Sequence, residues 1–185
     1  ADCNPGVSGG QAGGGYFAEG NGSTDAWRGQ HRIEGLIRLV GGNEWFCRRL
    51  DRLFREQYEV PKYTFRGQLR DSTGLMGQFC MGNEPSFHIP YLYNYAGQPW
   101  KTQRRIREIM RLWFGNSPFG ICGDEDGGAM SAWFAFSAMG FYPVCPGKPV
   151  YDIGSPIFDE TVIHMDNGNT FTILARNQSP RHKYI

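Results

Sequence analysis

Apolar residues recur at helical spacing from Ile33: Ile33, Leu36, Ile37 and Val40 share one face, the pattern breaks at Gly41-Gly42-Asn43, and it resumes as Phe46, Leu50, Leu53 and Phe54. This spacing predicts helix, cap and helix. The first eighteen residues are glycine-rich and without period, so they read as loop, and a second loop runs through Pro61. "DSTGLMGQFCMGNEPSFHIPYLYNYAG" predicts a third helical region punctuated by Pro85 and Pro90. Pro99 suits the first turn of a fourth helix, which runs to Trp113 and closes at Gly115. The run from Ala129 to Met139 is apolar on nearly every side and predicts a fifth helix buried all round, stopped by Gly140 and Pro143.

After Pro146 the pattern shortens. "PVYDIG" and "TVIHM" are β-rich runs, and Asp166-Asn167-Gly168-Asn169 before "TFTIL" carries the Asn-Gly hairpin signal. The reading is a mainly α chain, with a helical array over residues 1–146 and the start of a β domain over 147–185. No closing element follows "RHKYI", which reads as a fragment of a larger protein.

Composition narrows the function classes. The 185 residues are 40% hydrophobic and 15% aromatic, a globular composition with an aromatic excess. Nineteen basic against 18 acidic side chains leave a net charge of +1, which argues against a nucleic-acid partner. The basic cluster "KTQRRIREIMR" alternates with Ile106, Ile109 and Met110, so its charges read as the solvated face of an amphipathic helix. Cys3, Cys47, Cys80, Cys122 and Cys145 have no C-x-x-C spacing, which favours free buried thiols over zinc or redox motifs. No apolar run approaches the roughly 20 residues that span a bilayer, and residues 1–10 do not read as a secretory leader.

The candidate chemistry is acidic. In "GICGDEDGGAM" three carboxylates, Asp124, Glu125 and Asp126, stand before the fifth helix. One acid suffices to cap free backbone N–H groups and complement the helix dipole, so three point to either capping alone or a site. Glu84 shares a turn with Asn83 and His88 among Tyr91, Tyr93, Tyr95 and Trp100, a mixture that suits sugar C–H faces and hydroxyls. The alternative is an aromatic core with His88 satisfied inside it, the more common fate of a lone histidine. Glu19, in "YFAEGNGSTDAW", reads by itself as a capping or solvated residue.

"GNEPSFHIPYLYNYAGQPWKTQ", "GICGDEDGGAMSAWFAFSAMGFYPVCPG" and "YDIGSPIFDETVIHMDNGNTFTI" closely resemble glycoside hydrolase family 92, the calcium-dependent exo-α-mannosidases. The resemblance runs from about Glu19 to Gln178. It implies part of an (α/α)6 barrel leading into the start of a C-terminal β-sandwich element, with a further N-terminal β-sandwich domain in the parent protein helping to wall the sugar pocket. It also implies that Asp126 is the general base that activates water, Asp124 its assistant and Glu19 the general acid. Trp27 and His31 fall at the matching spacing behind Glu19. Asn83 and Glu84 match the family's residues beside the metal, Ca2+, and the sugar, and His88 a substrate-binding histidine. Phe87 and Met81 replace two further histidines, and Gly22-Ser23-Thr24-Asp25 replaces the aromatic and amide residues expected after Glu19-Gly20-Asn21.

The expected reaction is hydrolysis of terminal α-linked mannose, of α-1,2 type, from glycans such as N-glycans. Inverting glycosidases hold acid and base roughly 6.5–9.5 Å apart with water between base and sugar. Asp124 and Asp126, two residues apart on one turn, do not suit that gap, so an acid from another segment is required. Calcium prefers oxygen ligands and can bind vicinal sugar hydroxyls; "DEDGG" is no EF-hand, since Ala135 stands where the closing glutamate should be. Rival readings are a relative cleaving mannosyl phosphodiesters, a non-catalytic calcium-dependent sugar-binding module, and a purely structural array. The resemblance further implies a secreted, periplasmic or cell-surface protein and an isolated chain with little activity.

Overall fold

The computed structural model describes residues 22–57 and 73–185. Five α-helices are present among them: α1 (Gly22–Asp25), α2 (Ile33–Leu39), α3 (Asn43–Leu53), α4 (Pro99–Trp113) and α5 (Ala129–Met139). Four of these follow the periodicity of the sequence closely. The third expected helical region is different. It opens as a tight antiparallel hairpin, β1 (Leu75–Met76) against β2 (Phe79–Cys80), and continues as two 3₁₀ segments, Glu84–Ser86 and Ile89–Ala96. Gly77 explains the hairpin: it takes φ of +61°, and a Cβ there would lie 2.6 Å from the Leu53 carbonyl oxygen. Only glycine allows that turn to press against the end of α3. Prolines 85 and 90 then keep each helical segment short.

The 3₁₀ segment Ile89–Ala96 forms the centre of the core, with Ile89, Pro90, Tyr91, Leu92, Tyr93 and Ala96 all buried. Around it pack Phe46 and Leu50 of α3, Ile106 and Ile109 of α4, and Met130 and Trp133 of α5. A buried phenol is costly unless its hydroxyl is paired, and each tyrosine here has a partner. Tyr91 shares a hydrogen bond of 2.9 Å with Ser137. Tyr93 donates to Asp51 at 3.0 Å, and Asp51 also receives Lys101. Tyr95 donates to Asp152 at 2.7 Å. These rings are therefore core struts, not the sugar-facing surface that their composition invited.

Two other expectations change. The helix α5 is buried along Met130, Trp133, Ser137 and Ala138, whereas Ala132 and Ala135 are exposed, so one face rather than the whole circumference meets the core. The basic cluster of α4 is not simply a solvated face. Arg105 is 8% exposed, pairs with Glu108 at 2.9 Å and lies 4.7 Å over the Phe54 ring. Arg107 donates to the carbonyls of Pro156 and Ser179 and to the Gln178 side chain.

The β-rich end is built from two ladders. β3 (Phe141–Tyr142) pairs antiparallel with β4 (Asp152–Ile153), a pairing the sequence pattern did not disclose. β5 (Glu160–His164) and β6 (Thr170–Leu174) form the expected hairpin, in register from Glu160 opposite Leu174 to His164 opposite Thr170. Phe136, Met139 and Phe141 face Ile163, Phe171 and Ile173 across an open apolar groove. Cys47, Cys80, Cys122 and Cys145 are buried, and none forms a disulfide among the described residues, while Cys3 lies outside those residues.

The Arg107 clamp generates a prediction. Hydrogen bonds from a charged donor are worth about 1.5–3 kcal/mol, and about 1.4 kcal/mol is a factor of ten. Arg107→Ala in the full-length protein is therefore expected to speed amide exchange over residues 156–179 at least about tenfold while the α5 amides keep their protection. Unchanged exchange in 156–179 would show that other contacts hold that segment.

Candidate functional site

The acidic turn divides its labour. Glu125 is the capping residue: its carboxylate accepts from the Gly128 amide at 2.5 Å and from the Ser131 amide at 3.3 Å. Hydrogen bonding from the Ser131 side chain, followed by the Gly128 amide, holds its carboxyl below the usual glutamate range. Asp124 and Asp126 take no part in this. Both are exposed, and among the described residues neither carboxylate has a hydrogen-bond or ion-pair partner. Asp126 begins three successive left-handed residues, with φ of 51° at Asp126, 64° at Gly127 and 103° at Gly128. That region is uncommon for a side-chain-bearing residue and tolerated best by aspartate and asparagine. The turn thus spends backbone strain to set Asp126 ahead of the helix rather than within its first turn.

Asn83 and Glu84 stand beside this turn because two backbones meet. Gly123 has φ of +65°, and a Cβ on it would fall 2.6 Å from both the Cα and the carbonyl oxygen of Gly82. No side chain fits between Gly82 and Gly123, so the segment that leads into Asn83-Glu84 lies directly against the one that leads into Asp124-Asp126. Asn83 is buried, and Glu84 opens the 3₁₀ turn Glu84–Ser86. One carboxylate oxygen of Glu84, Oε1, is buried without a hydrogen-bond partner among the described residues. A buried carboxylate oxygen in that state is costly, and its chemistry suits a hard cation that prefers oxygen ligands. Among the described residues no three His, Cys, Asp or Glu side chains converge, so such a cation would draw on amide and carboxylate oxygens together.

His88 follows on the same loop and is 5% exposed. Its Nε2–H donates to the Trp27 carbonyl at 2.8 Å, and burial pushes its pKa down, which keeps the ring neutral. The imidazole therefore anchors the segment behind Glu19 to the Asn83-Glu84 loop. Trp27 itself is buried edge-on against Phe46, 5.1 Å between ring centres. His31 is exposed, and its carbonyl accepts from Lys148 at 3.2 Å. Glu19 lies outside the described residues. The opposite side of the loop is fixed by Trp133 of α5, whose indole N–H donates to the Phe87 carbonyl at 3.0 Å.

The segments brought together are therefore the one entering Asn83-Glu84 and the one entering Asp124-Asp126, with His88 bonded to the Trp27 carbonyl. Two contributors carried no clear signal in the sequence. Gly123 reads as one more glycine in a glycine-rich turn, and Thr73, whose hydroxyl oxygen accepts the Gly123 amide, has no mark beyond preceding Gly74. An acceptor oxygen of the Asn83-Glu84 loop and exposed carboxylates of the neighbouring turn are the groups that metal-assisted hydrolysis draws on.

Known proteins resemble this chain in sequence and in fold. A glycosidase of Arthroderma benhamiae, described as secreted and uncharacterised, is 34% identical over 156 residues, which are 84% of this chain and 18% of that protein. The α-mannosidase of family GH92 from Bacteroides thetaiotaomicron solved with mannoimidazole superposes with a TM-score of 0.85 at 36% identity, over 98% of this chain and 23% of its own. An inverting mannosidase of the same family and organism superposes with a TM-score of 0.77 at 42% identity, over 93% of this chain and 24% of its own. The chain thus spans only 18–24% of the length of these relatives. The model of the glycosyl hydrolase family 92 catalytic domain matches residues 3–185, and the chain belongs to that family.

Proposed function

We propose that the protein to which this chain belongs removes terminal α-linked mannose from glycans, α-1,2-linked mannose first among them, with inversion at the anomeric carbon. The observation that carries this reading is the Gly82–Gly123 contact, which sets the loop of Glu84, one of whose oxygens is buried without a partner among the described residues, against the turn that carries the two exposed aspartates. The inverting mannosidase at 42% identity supports the stereochemistry, and the mannoimidazole complex supports the substrate class.

In this reading Asp126 is the general base. Its carboxylate, held forward by the left-handed turn, accepts a proton from water attacking the anomeric carbon. Asp124, two residues earlier, helps to orient that water. Glu19 protonates the departing oxygen from the other face of the sugar. Asn83 and Glu84 would hold Ca2+ through their side-chain oxygens. When bound, the ion supplies a hard positive charge suited to vicinal sugar hydroxyls. His88, neutral and buried, acts on substrate only through the loop it braces.

The rest of the reading follows the family. Residues 1–146 form part of an (α/α)6 barrel, residues 147–185 begin a C-terminal β element, and the parent supplies an N-terminal β-sandwich domain that completes the pocket. The chain alone is then expected to turn over little substrate, since its apolar groove and part of α5 stay uncovered. Among the described residues no helix is long and apolar enough to cross a membrane. The Arthroderma relative supports export from the cell.

Three outcomes test the proposal in the full-length protein. Asp126→Asn keeps shape but cannot accept a proton, so kcat on mannobiose is expected to fall by about 10²–10⁴ with sugar affinity retained in a binding titration. Glu19→Gln is expected to cripple mannobiose hydrolysis and partly spare aryl mannosides with good leaving groups, whereas calcium chelation stops both; equal losses on the two substrates in Glu19→Gln would remove Glu19 as the acid. NMR during the first turnovers should record β-mannose before mutarotation. Early release of α-mannose would require a covalent intermediate and would overturn the role given to Asp126.

A further inference from the structure

One residue joins the two halves of the site. Thr73 precedes β1, and its side chain and main chain point to different partners. The Thr73 hydroxyl oxygen accepts the Gly123 amide at 2.5 Å. Its carbonyl accepts the Gly82 amide at 3.1 Å and the Cys80 thiol at 3.3 Å. The next residue, Gly74, accepts the Met81 amide through its carbonyl at 3.0 Å. Both amides gripped by Thr73 lie one residue before a functional pair: Gly82 before Asn83-Glu84, and Gly123 before Asp124. The grip also spans the point where the Gly82 and Gly123 backbones touch.

The two bonds are chemically separable. The carbonyl bond to Gly82 is made by the main chain and survives any side-chain change at 73. The hydroxyl bond to Gly123 depends on the side chain alone. Without it the Gly123 amide loses its acceptor within a tightly packed junction, and the left-handed turn carrying Asp124 and Asp126 is freed on one side only. Gly123 cannot settle closer to Gly82, because no space remains there.

We propose that Thr73 is a positioning residue whose hydroxyl sets the acidic turn, and hence the water-activating carboxylate, against the Asn83-Glu84 loop. This rests on the reading of Asp126 as base. It predicts a division between rate and binding: loss of the hydroxyl moves the base and leaves the sugar and metal side in place.

The test compares Thr73→Val and Thr73→Ser in the full-length protein. Valine keeps the branched shape and removes the acceptor; serine keeps the acceptor. Thr73→Val is expected to lower kcat on mannobiose at least about tenfold, since misplacement by about 1 Å can cost about a hundredfold, with KM changed less than about threefold. Thr73→Ser should recover most of the lost rate. Amide exchange supplies a readout independent of turnover: Gly123 should be protected in the unaltered protein and exchange at least about tenfold faster in Thr73→Val, with Gly82 still protected. An unprotected Gly123 in the unaltered protein overturns the proposal even where Thr73→Val does not fold. So does a kcat that is unchanged, or a loss that serine does not recover or that KM shares equally. If the unaltered protein cleaves no α-mannoside at all, the assigned reaction fails, whereas fast Gly123 exchange in Thr73→Val with normal kcat counts against Thr73 alone.

Discussion

The approach of Gly82 to Gly123 is the constraint on which the site depends. With hardly any room between the two backbones, the loops they belong to cannot shift independently. Glycine at 123 serves two needs at once, a left-handed φ and the absence of a Cβ. Thr73 then bonds both strands of the junction. Side chains forty residues apart in the chain, Glu84 and Asp124, acquire a common frame through main-chain contact rather than through an interaction of their own.

That junction is rigid because what lies behind it is rigid. Trp133 and Met130, on the buried face of α5, are completely enclosed, and the Trp133 indole reaches the Phe87 carbonyl just beyond Glu84–Ser86. Tyr91 locks to Ser137 of the same helix, and Tyr93 to Asp51 of α3. Burial raises the pKa of both phenols well above the ordinary tyrosine value, so they remain neutral at any physiological pH. His88 is kept neutral by the same desolvation. The two phenols and the imidazole of the interior are thus uncharged.

The rim follows the same logic at smaller scale. A helix N-terminus stabilises neighbouring carboxylates through its free N–H groups, but those donors are few. Glu125 takes two of them, at Gly128 and Ser131. Asp124 and Asp126, on either side, are left to solvent. A carboxylate that is to accept a proton is better without fixed donors, since hydrogen bonds to its charged form weaken it as a base. One acid therefore holds the helix and leaves its neighbours exposed.

The sequence by itself determined the helices α2 to α5, the Asn-Gly hairpin, the burial of the described thiols and, through three motifs, the family. These properties are local: periodicity, capping residues and turn chemistry act within a few positions, and a family motif is a string. The hairpin at Leu75–Cys80 was not legible, because its glycine turn is required by the end of α3, a contact made across more than twenty residues. Nor was the use of Tyr91, Tyr93 and Tyr95 as core struts, since an aromatic beside an acid looks the same in a sugar pocket and in a satisfied interior. Tertiary structure decided which of three consecutive acids caps the helix. It also decided that a threonine and a glycine with no apparent role join the two halves of the site. Such roles depend on which backbones come within hydrogen-bond reach, and that distance is set only when the chain packs on itself.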